Sequence, residues 1–191
     1  LRAIPRPPNA LHRIVSPSFL ARASSAELAD LVMAEPVVTA KVLAAVNAPL
    51  YGLRHSVTSV GQAITFLGLN SVRSLALQYL LQETLPADDP RLRRAFDTLW
   101  RTSAIATELC LHLAQRLPLP DAGSLSTQLV LSYLARVAAA VLAQRGAAGA
   151  AALDEDGGLV ARALAEQERL GLSSGEAGYL LMREWGLPEP L

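Results

Sequence analysis

Apolar residues recur at intervals of three and four along almost the whole of this chain, and no stretch shows clean strand alternation. That spacing places apolar side chains along one stripe of a helix, so the chain must bury helical stripes against one another. Serines punctuate the pattern: Ser24 stands three residues before Glu27, Ser59 three before Gln62, and Ser173 three before Glu176. Each pair reads as a capping box, in which the two side chains satisfy the free amides of a first helical turn. An aromatic content of only 5% also favours helix over sheet.

The punctuation predicts the elements. A short helix over Asn9 to Val15 is expected to stop at Ser16-Pro17. Ser24 opens a helix carrying Leu28, Leu31 and Val32 and ending near Ala34. Pro36 opens another with Val38, Val42, Leu43 and Val46, ended by Asn47-Ala48-Pro49. The Ser59 helix carries Ala63, Ile64 and Leu67 and stops at Gly68, after which Asn70 can cap a helix through Val72, Ala76 and Leu80. Pro86 marks a break. Asp89-Pro90 opens a long helix whose apolar set is Phe96, Leu99, Trp100, Ala104, Leu109 and Leu113, with Arg91, Arg93 and Arg94 on a solvated face. Pro118 and Pro120 bracket a loop, and a helix from Leu125 to Gln144 ends at Arg145-Gly146. Residues 147–158 read as a mobile acidic loop. A helix over Leu159 to Leu170 ends at Gly171, and the Ser173 box opens a last one through Leu180, Leu181 and Trp185, stopped by Gly186. The expectation is an all-α, single multi-helix domain of roughly ten helices.

Several function classes are disfavoured. Seventeen basic residues balance seventeen acidic ones, so the basic excess that draws in nucleic-acid phosphates is missing and no nucleic-acid partner is expected. Cys110 is the sole cysteine, which rules out an internal disulfide, fits a reducing cytoplasmic location, and reads as an inert buried thiol. Mean hydropathy is +0.29, but the most apolar run, Leu125 to Ala143, has Arg136 at its centre, so no membrane span is expected.

The search for chemistry returns little. His12, His55 and His112 are scattered, and none is followed by aspartate or paired at i, i+4 with another ligand, so neither a metal nor a cofactor is expected. His12 reads as partly exposed, His112 as packed among leucines, and His55 as a loop residue that could face a binding surface. The only lysine is Lys41, and no phosphate loop of the Walker type exists. Asp154 and Asp156 sit in the acidic loop, a poor place to hold a general acid and base. No catalytic residue is expected.

Several stretches, in order, resemble the HDOD family, whose members are regulatory relatives of HD-domain metal-dependent phosphohydrolases. They are Ile4-Pro5-Arg6-Pro7-Pro8; Leu28-Ala29-Asp30-Leu31-Val32 with Glu35-Pro36; Thr39 to Leu43 with Val46-Asn47-Ala48 and Tyr51-Gly52; and Ser59-Val60, Gln62-Ala63-Ile64, Leu67-Gly68 and Val72-Arg73. Glu168 to Gly178 and Trp185-Gly186-Leu187-Pro188 complete the series. The resemblance implies an HD-like helical bundle over 86–191 behind an N-terminal helical lobe over 1–85. It also implies departures: Ala135 stands where HD enzymes place a metal-binding histidine, Arg136 where they place the aspartate, and Ser174 at a later histidine position. Alanine cannot coordinate a metal and a guanidinium repels one. The expectation is a degenerate, non-enzymatic site.

Two functions follow from that resemblance. The first is a bacterial signal-transduction module that docks other signalling proteins or domains of its own polypeptide, such as kinase, receiver or cyclic-dinucleotide turnover domains. Its partner-binding residues are not identified. The second is a sensor of a nucleotide or other anion in the degenerate pocket, with Arg136 as the contact. A chain beginning at Leu1 suggests a piece of a longer protein.

Overall fold

The computed structural model describes residues 5–85, 90–117, 121–145 and 159–188. Among them are ten α-helices and no strand: α1 (Asn9–Ile14), α2 (Pro17–Arg22), α3 (Ser25–Met33), α4 (Pro36–Val46), α5 (Val60–Leu67), α6 (Leu69–Thr84), α7 (Pro90–Ala114), α8 (Ala122–Arg145), α9 (Leu159–Leu170) and α10 (Ser174–Glu184). A short 3-10 turn covers Pro49–Tyr51. The readings placed on Ile4, Pro86, Asp89, Pro118, Pro120, Gly146 and 147–158, and on the Arg91 side chain, lie outside what is described.

The capping boxes at Ser24 and Ser173 form in both directions. Ser24 Oγ accepts from the Glu27 amide at 3.2 Å while Glu27 Oε2 accepts from the Ser24 amide at 2.8 Å. The Ser59 box is only half made, because Gln62 Oε1 accepts from the Thr58 amide instead (2.9 Å). Gly68, at φ 89°, ends α5 and starts α6 within one residue, so Asn70 falls inside the first turn of α6 and is not its cap. Ser16-Pro17 does not merely stop α1. Ser16 Oγ accepts from the Phe19 amide and Pro17 takes the first position of α2, a helix not anticipated from the sequence. Asn47 ends α4 and staples the following loop: its side chain donates to the carbonyls of Leu43 and Val57 and accepts from the Val57 amide.

α6 links two sets of helices. It packs on α1, α3, α4 and α5 on one side and on α7 and α8 on the other. α8 has the length and apolar composition of a membrane span, yet more than half of that stretch is buried by α6, α7 and α10, as suits a core helix. Its fully buried Val130, Leu134, Val137 and Ala138 join Leu77, Leu80, Leu99, Trp100, Leu181 and Trp185 in one core.

Three sequence readings change. Leu109 and Leu113 are exposed, because the inward face of α7 is the one bearing Phe96, Leu99, Trp100 and Leu111. His112 is exposed with them, since the adjacent residues of a helix point apart. Cys110 is half-buried, lying at the edge between those faces.

Candidate functional site

Two places along α8 hold the residues that chemistry would need. The first is its middle, where the resemblance puts the vestigial positions. Ala135 is half-buried against Gly178 of α10, and a Cβ added to that glycine would fall 2.4 Å from the Ala135 Cβ and 2.8 Å from its Cα. The two helices therefore touch nearly backbone to backbone, which only small residues allow. Ser174 lies one turn before Gly178 on the same face of α10, so it borders the same seam. Its amide donates to Glu166 Oε2 at 2.7 Å, tying the buried Glu166 of α9 to the start of α10. Arg136 is half-buried and next to Ala135 on α8. Among the described residues no three His, Cys, Asp or Glu side chains lie together as a metal site would require.

The second place is the start of α8, which sequence reasoning did not single out. Arg73 of α6 is only 2% exposed, and its Nε and Nη2 have no hydrogen-bond partner. The guanidinium lies on the first turn of α8: a Cβ at Gly123 would come 2.3 Å from Nη2 and 3.2 Å from Cζ. Burial lowers the pKa of Arg73, and the carboxylate of Asp121 partly offsets this. Asp121 itself is held below the ordinary carboxylate range, chiefly because the Ser124 hydroxyl and amide donate to it and further because of the Arg73 charge. The hydroxyls of Ser74 on α6 and of Ser103 and Thr107 on α7 are also buried without partners, while Gln78 Nε2 crosses from α6 to donate to the Trp100 carbonyl at 3.0 Å. That bond ties α6 to α7. A cleft of about 310 Å³ separates α2 from this turn, with Val15, Pro17 and Leu20 on one wall and Asp121, Ser124 and Gln128 on the other.

Arg73 did leave a signal in the sequence. It is the only formal charge between Leu69 and Gln82, in a helix otherwise built of apolar and small polar residues. His55, exposed in the loop after the 3-10 turn, joins neither place, and His12 is half-buried on α1.

The model of the HDOD domain family matches residues 4–191. No curated protein matches the chain. Among solved structures, an HDOD domain protein of unknown function from Geobacter sulfurreducens aligns with a TM-score of 0.67 and 23% identity, over 97% of this chain and 61% of that one. A protein provisionally assigned to signal transduction, from Marinobacter aquaeolei VT8, aligns with a TM-score of 0.59 and 22% identity, over 97% of this chain and 42% of that one. The likeness is one of fold, and this chain spans less than two thirds of the length of either protein.

Proposed function

Because the chain belongs to the HDOD domain family, we propose that it is a non-catalytic signal-transduction module of the bacterial cytoplasm that works by docking. Its partners are signalling proteins or further domains of the same polypeptide, of the kinase, receiver or cyclic-dinucleotide turnover kind. The observation that carries the non-catalytic part is the contact of Ala135 with Gly178. The position that a metal-binding histidine would take holds a methyl group, and α10 lies against it.

The outer face of α7 supports the docking part. Ile105, Leu109 and Leu113, spaced i, i+4, i+8, are 71%, 58% and 45% exposed, flanked by exposed Arg101, His112 and Arg116. An apolar stripe with a charged rim is the composition of a protein-binding face. The test compares the chain with its Ile105→Glu, Leu109→Glu double variant as bait in a bacterial lysate, with thermal melting as a check on folding. Recovery of a signalling protein by the parent and its loss by an equally stable variant is the expected result. Recovery of that protein by both baits removes α7 as the face, and turnover of phosphoesters by the chain overturns the non-catalytic reading.

A further inference from the structure

Three features meet at the first turn of α8. Arg73 is buried there with two bare nitrogens and makes no ion pair with Asp121. Asp121 is the only described non-glycine residue with positive φ, at 44°, and its carboxylate folds back to accept from the Ser124 amide at 3.1 Å and from the Ser124 hydroxyl. Asp121 and Ser124 line the cleft beside α2, while Arg73 lies behind them against Gly123 and is not part of its wall.

A helix start carries partial positive charge on amides that lack internal partners. Here a full positive charge, shielded from water, is set against it. Two positive elements in contact need a negative one, and donors that are buried and unmatched need an acceptor. Asp121 supplies charge nearby, yet it bonds to Ser124 and leaves Nε and Nη2 of Arg73 without an acceptor. A phosphate monoester differs from that carboxylate in bringing close to two negative charges and three strong acceptor oxygens. It can serve the guanidinium and the first-turn amides together. The apolar wall of the cleft, Val15, Pro17 and Leu20, gives the remainder of such a molecule a surface to cover.

We propose that Arg73 and the first turn of α8 form a binding site for the phosphate group of a small phosphate monoester whose apolar part lies in the α2–α8 cleft, with Asp121 as an internal carboxylate that the ligand displaces. This goes beyond the docking reading and stands apart from it, because the α7 face takes no part in the site.

The experiment titrates the full chain with phenyl phosphate, inorganic phosphate and benzyl alcohol, following the backbone amides of Ala122 and Gly123 by NMR. Phenyl phosphate is expected to shift both amides saturably, inorganic phosphate more weakly, and benzyl alcohol not at all. Asn tolerates positive φ and still caps a helix, so Asp121→Asn removes the competing charge while keeping the turn. It should tighten phenyl phosphate binding by about tenfold. Arg73→Met should abolish the saturable shift. Should that variant fail to fold, Asp121→Asn decides alone: binding no tighter than in the parent overturns the site, as does an equal response to benzyl alcohol.

Discussion

The middle and the start of α8 are both places where a glycine lets another helix come unusually close, and they differ in what comes close. At Gly178 the neighbour is the methyl and backbone of Ala135, with no polar atom left over. At Gly123 it is the end of a buried guanidinium with two unmatched nitrogens. One contact is a closed apolar seam at the position that the sequence resemblance assigns to a metal-binding histidine. The other keeps a charge inside the fold at a cost that packing alone does not explain. The lesson is that one helix can hold a sealed apolar contact and an unmatched buried charge little more than three turns apart.

Adding a methyl group to each glycine tests this contrast most directly. Gly178→Ala drives Cβ into the backbone of Ala135, which cannot rotate away, so α8 and α10 must separate. Overpacking of this kind costs about 1–3 kcal/mol. At this chain length that lowers Tm by about 2–4 °C per kcal/mol. Gly123→Ala meets only the far end of the Arg73 side chain, which can shift, and gains the helix propensity of alanine. It should change stability by less than about 1 kcal/mol. Equal losses by thermal melting would erase the distinction between a rigid seam and a yielding one.

Much of the fold is legible in the sequence. The boxes at Ser24 and Ser173, the glycine stops at Gly68, Gly171 and Gly186 and the apolar spacing fix nearly every helix. α2 was missed because Ser-Pro ends one helix and begins another with the same residues. Leu109 and Leu113 were misplaced because periodicity reveals which face is apolar and says nothing of whether a neighbour covers it. The two places on α8 depend on pairs 43 and 50 residues apart, Ala135 with Gly178 and Arg73 with Gly123, and close approach across such distances has no local pattern. Motif order could name Ala135, Arg136 and Ser174, but not the contact that closes the seam beside them.

Glu166 offers a gentler way to loosen that seam. Its carboxylate is buried and accepts from the Ser174 amide at 2.7 Å, so it anchors the start of α10 to α9. Glu166→Ala removes a hydrogen bond to a charged acceptor and should cost about 1.5–3 kcal/mol at most, less where water reaches the freed amide. The expected signature is faster exchange of the Ser174 amide, with exchange at the α8 start unchanged. A matching change at Gly123 would mean that the two places move as one unit.

The smallest effect expected is from acid, and its dependence on Arg73 separates the α8 start from the caps. Glu27 and Glu176 titrate below their ordinary value of 4.5, because the amides of Ser24 and Ser173, and next their hydroxyls, donate to the charged carboxylates. Asp121 titrates below its ordinary value of 3.8 for the same kind of reason at Ser124, with the Arg73 charge as an added cause. Folded values below unfolded ones mean that these contacts stabilise the fold fully above the ordinary carboxylate range and lose that contribution as pH falls through the lowered folded values. Amide chemical shifts of Ser24, Ser173 and Ser124 followed from pH 6 to pH 2 measure these releases, and Arg73→Met should move the Ser124 transition upward while leaving the other two in place. A Ser124 transition that ignores Arg73 would remove the buried cation from the electrostatics of the α8 start, and with it the reason to treat that turn differently from any other cap.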